Sequence, residues 1–338
     1  MAEKLEAFTE KITGYTLEKP ERKPQQNYIN ILILRELQSA ARFTTDGLEA
    51  NSAVIRIGEI EETVGKLFGR KQVASDRRIA KALQRTLIQE KMNAAVNKGT
   101  WEGCSMAVNQ MCQRCPECAL FGSAASDEGI SITSRVMYDE AYTIRSISTI
   151  VEEYFQNAPG DDYAKGATSA IREPDFFKEG TLFPCVVTLR DVTPEEVLFF
   201  LNVTDRNARY GATGTRFGKT RNHILGVYAS HREGPSSLEV TRGVAVALAR
   251  EAAADDEDSS DLKEHLREVM TADTLSLESV IRAAIQVYED LAEKRRIAYV
   301  KSDADEVSGI LDEMKDDAVV KAILEAQVDK IADYVSAN

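Results

Sequence analysis

Four of the five cysteines fall within one short segment, CSMAVNQMCQRCPEC, as Cys104, Cys112, Cys115 and Cys118. The spacing is C-x7-C-x2-C-x2-C. Two overlapping C-x2-C steps bring thiolates close enough to share one ion, and Cys104 can supply the fourth ligand of a tetrahedral zinc site. A four-sulfur site leaves no position open for water, so it reads as structural rather than catalytic. Three cysteines at three-residue spacing also resemble iron–sulfur ligation, but the bacterial pattern has a fourth cysteine followed by proline, absent here. Reduced buried thiols are the plain alternative. Cys185 lies in the apolar run LFPCVVTL and reads as a core residue.

A second segment, GATGTRFGKT at positions 211–220, has the ending of a nucleotide-binding loop, Gly218-Lys219-Thr220. The G-x-x-x-x-G-K-[ST] pattern needs its first glycine at position 213, which is Thr213. The following NHILGVYAS is rich in β-branched and aromatic residues and reads as a strand. A phosphate loop of that class opens a helix. A zinc-containing NTPase is therefore a minor alternative, which ATP failing to raise the melting temperature would oppose. The glycines interleaved with Arg216, Lys219 and Arg221 still suit a phosphate backbone.

Charge is unevenly distributed. The net charge of the 338-residue chain is -13. Residues 251–338 hold 10 Lys+Arg and 23 Asp+Glu, which is -13, so residues 1–250 are neutral. Within the neutral part, residues 66–98 are +7 (nine Lys/Arg against Asp76 and Glu90) and residues 206–232 are +6 with no acid. Local clusters of this kind are footprints for nucleic acid or, for the first, a solvated helix face. The acidic C-terminal region reads as solvated helices. Hydrophobic content of 43% indicates a globular chain. No run of 18 apolar residues exists, and MAEKLEAFTEK has no apolar stretch of a secretory signal, so a cytoplasmic protein without membrane partners is expected.

These segments need a framework. NYINILILRE (27–36) reads as a buried strand, and SAARFTT close behind it as a partner strand. Residues 59–97 read as helical, with Ser75-Asp76 as a cap and Ile79, Leu83, Leu87 and Ile88 as an apolar stripe. Residues 130–147 alternate like a hairpin turning near Asp139-Glu140. Residues 152–180 read as a long surface loop. TLFPCVVTLRDV is a strand, and Thr193-Pro194-Glu195-Glu196 starts a helix running to about Val203. From Leu238 the chain reads as helical, broken by DDEDSSD.

The fold class expected is α+β: a modified RRM/ferredoxin-like core, with a free sheet face open to single-stranded RNA. The core takes residues 20–58 and 130–237, the helical and zinc-binding insertion residues 59–129, and the acidic helical C-terminal lobe residues 238–338.

The CPECALFG segment followed by a strand–helix–(GATGTRFGKTRNHILG)–strand unit resembles the RAMP superfamily of CRISPR proteins, and most of all the Cas-seven family backbone of type I-D Cascade. The resemblance covers most of residues 20–300. It implies copies polymerising along one CRISPR RNA, other copies and other Cascade subunits as partners, and target DNA, or RNA, pairing with the guide. Carried over by position, Gly214, Arg216, Gly218, Lys219, Thr220 and Arg221 match the loop that faces RNA. Ser134 to Tyr142, including Arg135, match the hairpin thumb, with Met137 and Tyr138 as wedges between bases. Arg42 and Arg56 match the start of the RNA groove. A guide of variable sequence has to be held through its backbone, which glycine-exposed amides and Arg or Lys can do.

The resemblance also bears on catalysis. Relatives in type III complexes cleave target RNA with an aspartate in the loop matching DGLEANSAVIRIG, where Asn51 falls at the relevant position. A non-catalytic subunit is expected. A metal-dependent RNase using Asp46 is the alternative. His223 and His231 have no acid evident beside them and read as structural.

Overall fold

The computed structural model describes residues 3–95, 101, 104–107, 110–124, 131–157, 170–212, 214–255 and 261–336. Its strands are β1 (Tyr28–Leu37), β2 (Ser52–Ile57), β3 (Ile60–Leu67), β4 (Val136–Tyr138), β5 (Ala141–Ser146), β6 (Val151–Asn157), β7 (Ala170–Phe177), β8 (Leu182–Arg190), β9 (Thr220–Ser230) and β10 (Tyr299–Asp303). Its helices are α1 (Glu3–Ile12), α2 (Gly69–Leu87), α3 (Gln89–Ala95), α4 (Pro116–Phe121), α5 (Ile147–Ile150), α6 (Pro194–Arg206), α7 (Ser237–Asp255), α8 (Leu262–Thr271), α9 (Leu277–Lys294), α10 (Ala304–Glu313) and α11 (Asp317–Ser336).

The main sheet runs β10-β9-β1-β8-β4, and every neighbouring pair is antiparallel. β1 is central because its apolar run has something to bury on both faces. Ile29, Ile31 and Ile33 point into one core with Leu5 and Phe8 of α1, Val197 to Leu201 of α6, and Ile310 of α10. Leu32 and Leu34 point the other way, with Val186, Leu225 and Tyr228, into a second core closed by α7, α8 and α9. The expected free sheet face is therefore covered, here by Val240, Val244, Val280 and Tyr288, and is not available to RNA.

α6 begins as its sequence requires. Thr193 Oγ1 accepts from the Glu196 amide at 3.3 Å, and Glu196 Oε2 accepts from the Thr193 amide at 2.9 Å, a reciprocal cap with Pro194 in the first turn.

Several expected elements differ. Residues 39–45 make no strand; Ala41, Arg42 and Thr44 form single bridges to Phe177, Ala212 and Ala50. Residues 59–67 are not helical. Gly58 at φ 56° starts a two-residue turn, and β3 returns along β2 with Ile57 opposite Ile60. Ser75 and Asp76 are not a cap but lie buried inside α2, which starts at Gly69.

The described part of 130–147, residues 131–147, does not form the expected hairpin. β4 pairs with β8 in the main sheet, whereas β5 pairs with β3 in a separate β2-β3-β5 sheet. A two-residue hairpin turn needs positive φ, which neither Asp139 nor Glu140 adopts. Asp139 instead joins the sheets to α7, accepting from the Ser237 amide at 2.8 Å. The hairpin lies in the segment expected to be loop, as the β6–β7 pair, whose strands run from Val151↔Phe177 to Asn157↔Ala170. The C-terminal region is not a separate helical lobe either. β10 extends the main sheet, α10 packs on α1 and α6, and α11 packs on α2, α4 and α6.

Candidate metal centre and nucleic-acid interface

The cysteine segment folds onto the outer side of α2. Cys115 precedes α4, with Pro116 at the first helical position, and Cys118 follows within the same helix. The four thiols of Cys104, Cys112, Cys115 and Cys118 lie within 4.8 Å of one another. A tetrahedral zinc with bonds of about 2.3 Å would separate its sulfurs by about 3.8 Å, so the donor set fits that ion.

α2 and the cysteine segment itself both supply donors to the thiols. Lys81 Nζ lies 2.9 Å from Cys104 Sγ, Gln84 Nε2 3.1 Å from Cys115 Sγ, and the Cys112 amide 3.1 Å from Cys104 Sγ. Hydrogen bonds from Cys112, Cys115 and Cys118 hold the Cys104 thiol far below its ordinary range, while burial pushes Cys115 up. Glu117 is fully buried and ion-paired with both Arg77 and Lys81. Arg85 donates to the Cys104 carbonyl. Four thiolates holding one Zn²⁺ would carry -2, and with Glu117 at -1 the site would call for cations beside it, which Arg77 and Lys81 supply. Two cations of the basic run 66–98, Arg77 and Lys81, thus face the cysteine segment rather than solvent, while Arg85 reaches it from an exposed position.

The second cluster of chemistry is the glycine-rich loop. Thr220 opens strand β9, so no helix N-terminus stands where a nucleotide-binding loop would need one. The loop is pinned to residues 38–42: Gln38 N to Lys219 O at 2.7 Å, Gly218 N to Ala40 O at 2.8 Å, and Ala212 N to Arg42 O at 3.2 Å. Gly211 (φ 90°) and Gly218 (φ 77°) lie in the left-handed region, and Gly214 borders open space. Arg209, Arg216, Lys219 and Arg221 are exposed. Thr220 is buried, its hydroxyl donating to Gly218 O at 3.0 Å, so it shapes the loop from within. Arg209 falls in the same net-positive run, but no motif singles it out.

The chain that pins this loop continues into the exposed residues 45–49, and Phe176 at the base of the β6–β7 hairpin lies 4.7 Å from the Phe217 ring of the loop. Lys71 Nζ donates to the Thr44 carbonyl at 2.7 Å, and Arg70 to the Thr45 hydroxyl at 3.1 Å. Asp175 Oδ2 accepts from the Ala50 amide at 3.0 Å. Asp46 is exposed, and Asn51 accepts from the Thr45 hydroxyl at 2.9 Å.

Other expected contacts lie elsewhere. Arg135 is buried, donating to Glu196 Oε2 at 2.7 Å and to the Asp191 and Ala119 carbonyls at 3.0 Å, which ties β4 to α6 and α4. Tyr138 turns its hydroxyl inward to Asp76 at 2.6 Å. Met137 is part-buried in a strand paired with Thr188. Neither residue stands on a hairpin from which it could wedge between bases. Arg56 is exposed on the edge strand β2, opposite Glu61. Arg42 is nearly buried at the junction of loop and hairpin, ion-paired with Glu173. His223 does have an acid partner, Glu36, at 2.9 Å, which only strand pairing brings near. His231 meets the Gln26 carbonyl at 3.2 Å and the Tyr15 ring at 4.7 Å. Among the described residues no helix is long and apolar enough to cross a membrane.

With this geometry the chain can be placed. No curated protein matches it. Among solved structures, the crystal structure of Thermofilum pendens Csc2 is similar at 17% identity and a TM-score of 0.59, covering 95% of this chain and 94% of that one. A chain of a CRISPR RNA-guided surveillance complex is similar at 13% identity and a TM-score of 0.48, covering 86% of this chain and 99% of that one. The profile of the family described as Csc2 CRISPR matches residues 15–327, nearly the whole chain, so this protein belongs to the Csc2 family of CRISPR backbone subunits.

Proposed function

We propose that this chain is a non-catalytic, CRISPR RNA-binding backbone subunit of a type I-D Cascade complex. Copies assemble along one guide RNA with other Cascade subunits and present it to target DNA, in a cytoplasmic antiviral role. The observation that carries this reading is the surface where the glycine-rich loop, residues 38–51 and the β6–β7 hairpin meet, in a member of a CRISPR family. Exposed Arg209, Arg216, Lys219 and Arg221 line it with no exposed acid in the loop itself. Such a surface grips phosphates and 2′-hydroxyls whatever the base sequence.

The framework supports the same reading. The strand order β9-β1-β8-β4, with α2 leading from β1 toward β4 and α6 from β8 to β9, supports reading the core as ferredoxin-like and RRM-like. Its sheet face is covered, so RNA is held at the loops beyond the strand ends. The β6–β7 hairpin takes the thumb role that Ser134 to Tyr142 cannot. Zinc at Cys104, Cys112, Cys115 and Cys118 makes the inserted segment rigid without a large core of its own.

The test is nuclease protection of a long unstructured single-stranded RNA, with wild type and with Arg216→Ala/Lys219→Ala. Regularly spaced protected fragments, abolished in the variant, are expected; absence of protection by wild type sinks the reading. Incubation with a complementary RNA and a divalent metal is expected to yield no cleavage. Cleavage abolished by Asp46→Ala would instead establish the RNase alternative.

A further inference from the structure

We infer that Arg42 is a positioning residue rather than a phosphate ligand: it clamps the base of the β6–β7 hairpin to the glycine-rich loop and sets how the two face RNA. The inference rests on the RNA-binding reading above and separates the cations that touch RNA from the one that holds the surface together.

Arg42 is gripped through both backbone and side chain. Its carbonyl accepts from the Ala212 amide at 3.2 Å, and a Cβ on Gly211 would lie 2.6 Å from that same oxygen, so the loop approaches it as only glycine allows. One residue earlier, Ala41 exchanges two hydrogen bonds with Phe177 of β7, at 2.9 and 2.8 Å. The Arg42 guanidinium lies 4.4 Å from the Phe176 ring of the hairpin and 4.8 Å from the Phe217 ring of the loop. Those rings are 4.7 Å apart. Glu173, also on the hairpin, pairs with the guanidinium.

Arginine suits this place because a planar cation can cover aromatic faces and meet a carboxylate at once. Its charge is already matched by Glu173 and its surface is 9% exposed, which leaves little of it for a phosphate. Arg216 is the contrast. It touches Phe217 at 5.3 Å but is exposed, with its charge open to solvent.

The test compares single-stranded RNA binding across a salt series for wild type, Arg42→Lys, Arg42→Gln and Arg216→Gln. Each phosphate of a single strand that the protein ceases to neutralise lowers the log–log salt slope by about 0.7. Arg216→Gln is expected to lower the slope by that amount. Both Arg42 variants are expected to weaken binding several-fold with the slope unchanged. Lysine keeps the charge but cannot cover two rings while reaching Glu173, so it should not rescue. Rescue by Arg42→Lys, together with a reduced slope in Arg42→Gln, would make Arg42 a phosphate ligand and overturn the inference.

RNA-free hydrogen exchange provides the independent arm. Arg42→Lys and Glu173→Gln should speed exchange at 170–177 and 209–219 while leaving β1 and β8 protected. Unchanged exchange there overturns the clamp whatever the RNA result. If wild type binds no RNA, the functional reading fails with it, and exchange still decides the clamp separately.

Discussion

Gly218 runs so close to Tyr210 that an added Cβ would stand 2.0 Å from the Tyr210 carbonyl oxygen. The two are joined by the Tyr210 amide donating to Gly218 O at 3.0 Å, and Gly218 sits at φ 77°. Tyr210 is itself buried beneath the loop. Gly218→Ala therefore meets both a backbone clash and a left-handed conformation, and should cost about 1–3 kcal/mol. Gly214→Ala borders open space and should leave the melting temperature unchanged. If the exposed loop backbone meets RNA, Gly214→Ala should still reduce affinity. Thermal unfolding and RNA titration of both variants separate these effects.

The cysteine cluster predicts one zinc per chain by elemental analysis. Removal with a chelator should lower the melting temperature by several degrees and open residues 101–121 to protease. Cys115→Ser should do the same without a chelator. Lys81→Met removes a nearly buried cation from beside Cys104 and Glu117 and should cost about 3–5 kcal/mol, since Glu117 stays buried with less compensation. That variant should also release zinc more readily, by about 10–100-fold in affinity.

A polar relay joins the main sheet to α2. Arg35 donates to the Tyr210 hydroxyl at 2.5 Å, which donates to Asp76 at 2.8 Å; Asp76 also accepts from Tyr138 at 2.6 Å and Asn207 at 2.5 Å. Arg35 and Asp76 are both fully buried. Asp76→Ala should cost about 3–5 kcal/mol, because it strands the buried Arg35 charge and three donors. Denaturant unfolding with an m-value near wild type would confirm a stability loss within an unchanged fold.

Asp139 contributes a pH dependence to stability. Burial pushes its carboxyl above the ordinary range, only partly opposed by its hydrogen bonds with Ser237. A carboxyl with a folded pKa above its unfolded one destabilises the fold when ionised. That cost is fully present above the folded pKa and fades as pH falls through it toward the unfolded value of about 3.9. Asp139→Asn should therefore unfold at a higher temperature than wild type at pH 8. The difference should shrink as pH approaches 4; a difference constant with pH would contradict the assignment.

The strongest local signals stand on their own in the sequence. The apolar runs at 28–37 and 182–190 are strands because little but a doubly buried strand suits them, and Thr193-Pro194-Glu195-Glu196 starts α6 because its caps are made within four residues. The C-x2-C-x2-C spacing already brings three thiols together, and the absent glycine at position 213 already argues against a nucleotide-binding loop. What tertiary structure alone decided depends on partners distant in the chain. Alternation at 130–147 is the same for a hairpin as for two strands in separate sheets, and only pairing with β8 and β3 tells them apart. Arg42, Arg135 and Arg216 are one residue type in sequence. Glu173, Glu196 and open solvent respectively decide which of them clamps, which is buried and which is free to meet a phosphate, because a charge is spent or available according to what the fold sets beside it.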